Sequence, residues 1–296
     1  MEKVKRHLFW FVTILVFFTG TVVFSYGQTS ENPPQNKYKL ALVLSGGAAL
    51  GYAHLGVIKV LRENHITLDL IVGTSIGAIV GGNIAAGIPV DKLIAEARGI
   101  SLFKLFDFKI MGLGFFSWNK TEAFLRGNLD HITFRDLKIP FAAVATDLYS
   151  GKKVVLGSGD VVTAMLASAS IPGIYTPVKI DGHLLIDGGI VEDLPVPTAK
   201  KLGAEHIIAV DVHHPLIKNS IKTPFDVIRQ AIYITQQNHV DKLEQNADIV
   251  IRPDLHELSY MNFDDVEKGV ETGAKSARAA LPQIKALVNK IQNNSN

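Results

Sequence analysis

Short runs of apolar, β-branched residues recur along the chain, and most are followed by a stretch with helical periodicity. Residues 38–44 (YKLALVL) precede a helical pattern over 51–64, and residues 70–72 (LIV) precede one that starts at Ser75. Further apolar runs stand at 141–145, 207–212 and 249–251. Strands that are apolar on both sides and alternate with helices predict a mostly parallel central sheet covered by helices on both faces, an α/β three-layer sandwich. This pattern occupies residues 38–255. After it, Val266, Val270, Ala274, Ala277 and Leu281 fall at helical spacing within residues 264–291. They predict a C-terminal helical extension, 256–296, packed on the same domain. Before it, QTSENPPQNK (28–37) is polar with adjacent prolines and reads as a linker.

The first 27 residues change the picture of where the chain works. A basic start, an apolar stretch from Leu8 to Phe24 and then Ser25-Tyr26-Gly27, with small residues at a spacing signal peptidase accepts, read as an export signal. The expected location is the periplasm, the cell envelope or the outside medium. An uncleaved anchor is the alternative, since about 17 apolar residues sit at the lower edge of what spans a bilayer. The formal net charge is +2, and Lys3, Lys5 and Arg6 against Glu2 account for all of it. The neutral remainder argues against a nucleic-acid partner. With no cysteine, disulfides, thiolate metal sites and lipid attachment through cysteine are excluded.

One segment departs from the alternation. Residues 103–118, FKLFDFKIMGLGFFSW, crowd five phenylalanines and Trp118 with a methionine and two glycines. It reads either as a loop and helix folded on the core or as an apolar lid that faces lipid, because apolar patches of this size are seldom exposed without a use.

Candidate chemistry begins at LIVGTSIGAIV, residues 70–80. Ser75 stands between Gly73 and Gly77 where a strand gives way to a helix, a geometry that holds one hydroxyl clear of its neighbours. A serine needs a base and donors for the oxyanion that forms on attack. Donors are offered where the first strand ends in LSGGAALG: small residues at Gly46, Gly47, Ala48 and Gly51 let backbone N–H groups approach a ligand beside a helix N-terminus. A dinucleotide site shares this pattern, but it expects an acid at the end of the second strand, and Asp69 lies before that strand. No histidine stands in a stretch built for a triad; His54 lies in the first helix, and His213-His214 follow a strand as an exposed pair would. Ile186-Asp187-Gly188-Gly189 leaves a carboxylate uncovered in narrow surroundings, and such an acid can take a serine proton directly when burial raises its pKa. The same four residues also describe an ordinary turn. Asp147, in ATDLYSG, reads as a turn acid that satisfies backbone N–H groups, and Ile171-Pro172-Gly173 as a helix terminator.

Taken together, LVLSGGAALGYAHLGVIKVL, VGTSIGAIVG, AVATDLYSGKKVVL and AMLASASIPGIYTPVKIDGHLLIDGG resemble the sequence blocks of the patatin-like phospholipase family over most of residues 39–215. The resemblance implies an acyl hydrolase with a Ser-Asp dyad: Ser75 as nucleophile, Asp187 as proton acceptor, and N–H groups around Gly46, Gly47 and Ala48 as oxyanion hole. It implies a lipid or phospholipid ester as substrate, peripheral contact with a membrane, and no metal or cofactor. Two departures stand out. The family's glycine turn usually carries a third glycine and then Arg or Lys, where this chain has Ala48 and Leu50. The family also often has arginine where Leu166 stands and asparagine where Asp193 stands, and an added carboxylate near the site would raise the pKa of Asp187. These departures define the alternative reading, a patatin-fold lipid-binding protein with little or no turnover.

Overall fold

A computed structural model of the chain describes residues 37–100, 107–108, 112–213, 221–260 and 262–294. The expected export signal, the linker apart from Lys37, and residues 103–106 and 109–111 of the aromatic segment lie outside the described residues. In chain order the elements are β1 (Tyr38–Leu44), α1 (Tyr52–Glu63), β2 (Leu70–Thr74), α2 (Ile76–Ala85), α3 (Val90–Arg98), β3 (Asp107–Phe108), β4 (Gly114–Ser117) and α4 (Asn119–Leu129). There follow β5 (Phe141–Asp147), β6 (Lys153–Leu156), α5 (Val161–Ser168), β7 (Gly173–Tyr175), β8 (Val178–Ile180) and β9 (His183–Asp187). Last come α6 (Val196–Lys201), β10 (Ala204–Val210), α7 (Pro224–Glu244), β11 (Ile249–Ile251) and α8 (Val266–Asn293).

Successive side chains on a strand point to opposite faces, and β1 supplies apolar residues to both. Leu40, Leu42 and Leu44 join a core with α1, α2, α3, α5 and α8, while Ala41 and Val43 join a second, smaller core with Leu194 and with Val196 and Ala199 of α6. That double burial is why the strand reads as an unbroken apolar run. The sheet runs β11-β10-β1-β2-β5-β9-β8, with β6 also paired to β5. From β11 to β5 each pairing is parallel, as the strand-helix alternation predicts. Strands β6, β9 and β8 add an antiparallel side to the sheet, and β3, β4 and β7 form a separate small sheet.

The register on β5 positions the site. Strand β6 pairs with residues from Ala143 to Thr146, so it fills one edge of β5 there. Strand β2 pairs with residues up to Val144, opposite Thr74, and β9 pairs from Ala145, opposite Asp187. A strand has two edges, and both partners overlap the register of β6, so β2 and β9 share the other edge, arriving end to end. The residue after Thr74 and the last residue of β9 are thereby driven together.

Helix α8 lies along α1. Gly56 faces the Val270 carbonyl and Gly273 faces the Ala53 carbonyl too closely for a Cβ at either position, and the Tyr52 hydroxyl donates to the Phe263 carbonyl at 3.3 Å. Among the described residues no helix is long and apolar enough to cross a membrane.

Candidate active site

Ser75 sits in the turn between β2 and α2 with φ 56° and ψ −123°, a conformation that costs a side-chain-bearing residue about 1–3 kcal/mol. The surroundings hold it there. A Cβ on Gly73 would strike the Gly77 carbonyl, and a Cβ on Gly77 would strike the carbonyls of Leu44 and Ser45, so only glycines let α2 leave so close to the sheet. The Ser75 N–H donates to Ser168 Oγ at 3.0 Å, and Ser168 in turn donates to the Val144 carbonyl at 2.5 Å. The Ser75 carbonyl starts α2 by accepting from the N–H of Ala78 at 2.9 Å and of Ile79 at 3.2 Å.

Asp187 closes β9. Its N–H donates to the Ser170 carbonyl at 2.9 Å and its carbonyl accepts from Thr146 Oγ1 at 2.9 Å, which fix the backbone. The Gly189 N–H donates to Oδ1 at 2.7 Å, and Ser75 Oγ donates to Oδ2 at 2.7 Å. Both side chains are nearly closed to water, at 7% exposure for Ser75 and 6% for Asp187. Burial pushes the Asp187 carboxyl up from 3.8 to about 7, against the pull of its bonds to Ser75 and Gly189, and the Asp193 charge adds to the rise. An acid poised there exchanges a proton readily near neutral pH.

The glycine turn after β1 is a short 3-10 turn (Ala48–Gly51) that runs straight into α1. Gly47 has φ 156° and ψ 7°, open to glycine, and a Cβ there would meet Val212. Ala48 is forced to φ 45°. Four of these N–H groups are accounted for: Ser45 donates to the Val210 carbonyl, Gly46 to the Asp193 carbonyl at 3.3 Å, Ala49 to Tyr260 and Leu50 to Gly47. Among the described residues, the N–H groups of Gly47 and Ala48 have no acceptor. The turn abuts Ser75 itself: a Cβ on Gly46 would stand 3.3 Å from Ser75 Cβ, and one on Gly51 would strike Ile76.

The site thus joins a strained serine on a strand-helix turn to a buried aspartate by a hydrogen bond, and borders the serine with a glycine turn in which the Gly47 and Ala48 N–H groups have no acceptor among the described residues. The family model described as "Patatin-like phospholipase" matches residues 42–200. The chain belongs to the patatin-like phospholipase family. Among relatives, an uncharacterized NTE family protein of Mycobacterium tuberculosis is 38% identical over 178 residues, 59% of this chain and 49% of that protein. The neuropathy target esterase sws of Drosophila melanogaster is 32% identical over 181 residues, 58% of this chain and 13% of that protein. The chain thus spans at most about half the length of these relatives. Among solved structures, VipD from Legionella pneumophila superposes with a TM-score of 0.59 over 83% of this chain and 67% of that one at 14% identity, a likeness of fold.

Within this family fold, the departures seen in the sequence have definite places. Leu50 and Leu166 are buried, at 1% and 3% exposure, so a cation at either position would need a buried partner. Asp193 is buried at 3% and stands beside Ser75 and Asp187. Asp147 is the turn acid expected: Oδ1 accepts from the N–H and Oγ of Ser150 at 2.7 and 2.6 Å, and these bonds hold its carboxyl down at about 2. Helix α5 ends at Ser168, ahead of Ile171-Pro172-Gly173.

Among the described residues no histidine bonds to Ser75. His54 Nε2 lies 2.9 Å from the Ser45 carbonyl, and burial lowers its pKa to about 4, so the ring is neutral and donates there. His213 is not the exposed residue expected from its place after a strand. The chain past β10 is drawn inward, with the Asp211 N–H bonded to the Ile251 carbonyl and the Val212 N–H to Ser45 Oγ, which carries His213 to a place between Asp211 and Asp193. His214 lies outside the described residues.

Sequence reasoning also missed Ser168 and Ser170, which bond to the backbone N–H groups of Ser75 and Asp187, and Trp118, whose Nε1 donates to Ser170 Oγ at 3.0 Å and to the Thr176 carbonyl at 3.1 Å. Trp118 stacks on Tyr175 at 3.8 Å between centroids. Serines within an apolar Ala-Ser stretch were the available signal, since a hydroxyl in such a run needs an acceptor.

Proposed function

We propose that the protein hydrolyses carboxylic esters of lipids through Ser75 and Asp187. The observation that carries this is the 2.7 Å hydrogen bond from Ser75 Oγ to Asp187 Oδ2. In the first step Asp187 takes the Ser75 proton as Oγ attacks the ester carbonyl carbon. The carbonyl oxygen, now negative, receives the free N–H groups of Gly47 and Ala48; each such donor is worth about 2.7–4 kcal/mol to the transition state. Collapse breaks the ester C–O bond, and the leaving alkoxide takes the proton back from Asp187, leaving an acyl-serine. Asp187 then deprotonates a water that attacks the acyl carbon, and Ser75 leaves with the proton. Apart from the substrate and water, the scheme uses only groups of the chain. Phospholipid and lysophospholipid esters are the proposed substrates, in keeping with the family name and with the apolar side chains of Leu113, Phe115 and Phe124, which are exposed and propose contact with a membrane surface. Export through residues 1–27 belongs to the same proposal.

A fluorophosphonate probe and an ester panel of graded acyl length, applied to the protein without residues 1–27, test the reading. Ser75→Ala is expected to abolish labelling and hydrolysis together. Asp187→Asn is expected to lower hydrolysis by about a thousandfold or more with the fold intact, whereas no single His→Ala change does so. Unlabelled protein that still binds lipid vesicles would instead establish the lipid-binding alternative, and one histidine variant as inactive as Ser75→Ala would restore a triad.

A further inference from the structure

Beside the dyad stands a row of charges that this chemistry leaves unused. The buried Asp193 carboxylate has a polar neighbour at each oxygen. Oδ1 accepts from Gln236 Nε2 of α7 at 2.8 Å, and Oδ2 lies 2.9 Å from His213 Nε2, at ion-pair distance though out of line for a hydrogen bond. The other ring nitrogen, Nδ1, faces Asp211 Oδ1 at 2.5 Å. A neutral imidazole offers one donor and one lone pair; two carboxylates across one ring match only the imidazolium. Asp211 also meets Arg252 Nε at 3.3 Å, and Arg252 pairs with Glu244 at the end of α7. The row therefore alternates in sign from Asp193 through His213, Asp211 and Arg252 to Glu244. On the α1 side the facing titratable group is His54, held neutral by burial.

Asp193 also borders the reacting groups. The place a Cβ would take on Gly189 is 2.6 Å from Asp193 Oδ1 and 3.0 Å from Asp187 Oδ1, and a Cβ on Gly46 would meet both Asp193 Oδ1 and Ser75 Cβ. Two glycines thus mark the gaps through which one carboxylate faces the base and the nucleophile. Like charges this close and shielded from water oppose each other's ionisation.

We propose that His213 is a positioning residue for the Ser75–Asp187 pair: its imidazolium balances Asp193 and fixes it against Gln236, so that Asp187 can ionise beside it and receive the serine proton. The proposal rests on the acyl-hydrolase reading. With the histidine charge gone and Asp193 kept, Asp187 faces an unbalanced carboxylate and holds its proton to higher pH. With Asp193 neutral, that opposition disappears.

The test is the pH profile of kcat/KM on a soluble chromogenic ester for the wild type, His213→Gln, Asp193→Asn and the double variant. The wild-type acidic limb is expected near pH 7, where Asp187 titrates. In His213→Gln it moves up by about one pH unit, with about a tenfold loss of rate below the limb. In Asp193→Asn it moves down, and the double variant returns to the wild-type position or below. A limb that stays in place in His213→Gln, or moves upward in Asp193→Asn, overturns the proposal. Nitrogen-15 NMR of the wild-type imidazoles gives a readout independent of turnover and of how the variants fold: both His213 nitrogens protonated at pH 8 supports it, and a neutral ring at pH 7 overturns it. Wild-type rates in Ser75→Ala would remove the acyl-hydrolase reading and this proposal with it. A limb that depends on Ser75 but ignores His213 would remove this proposal alone.

Discussion

Asp187 combines a hydrogen-bonded carboxylate with a place almost closed to water, and these pull its titration in opposite directions. Burial wins, and the carboxyl is pushed from 3.8 to about 7. The folded chain therefore keeps a proton between about pH 4 and 7 that the unfolded chain has released. Stability falls with pH wherever the folded state binds more protons, so the contribution of this group is present at and below 3.8 and is lost as pH rises through about 7. The size is of the order of 4 kcal/mol. Asp187→Asn escapes the penalty: urea unfolding should find it about 2–4 kcal/mol more stable relative to the wild type at pH 8 than at pH 4.5. Equal differences at the two pH values would mean that Asp187 is not the buried, reluctant acid described here.

At the scale of elements, the site depends on where strands end. Strands β2 and β9 meet on one edge of β5, and Thr74 and Asp187 occupy neighbouring positions along it. The parallel strands were legible because residues such as Leu42 and Val43 are buried on both faces and write an apolar run. The hairpin β8-β9 was not anticipated, although Asp181-Gly182, with φ of 48° and 84°, forms the two-residue turn for which Asp-Gly is the usual signal. Its flanking strands are short and partly exposed, so they carry little apolar pattern. Helix α8 was legible as helical spacing, but its close seat on α1 was not, because Gly56 and Gly273 gain meaning only against the carbonyls they face. Gly273→Val would force the helices apart and should lower stability by about 2–4 kcal/mol in thermal or urea unfolding. An unchanged midpoint would show that the helices can separate freely.

For the whole molecule, apolar side chains left exposed at Leu113 and Phe115 adjoin β7 through the pairing of Gly114 with Gly173, on the element that precedes the β8-β9 hairpin ending in Asp187. If this region rests on lipid, Leu113→Asp with Phe115→Asp should lower co-sedimentation with phosphatidylcholine vesicles about fivefold or more, since each buried apolar side chain contributes about 1.5–3 kcal/mol; unaltered binding would place the contact elsewhere. The chain by itself determined its layered α/β architecture, because apolar periodicity is a local property, and its glycine-flanked turns offered Ser75 and Asp187 as candidates that an ordinary turn would also explain. It also named Asp193 as a carboxylate beside the site. Only the tertiary structure decided that Asp187 meets Ser75, that Asp193 is balanced by His213, and which turn N–H groups remain free. Those facts depend on segments far apart in sequence brought together by the fold, and no local pattern encodes the distance between them.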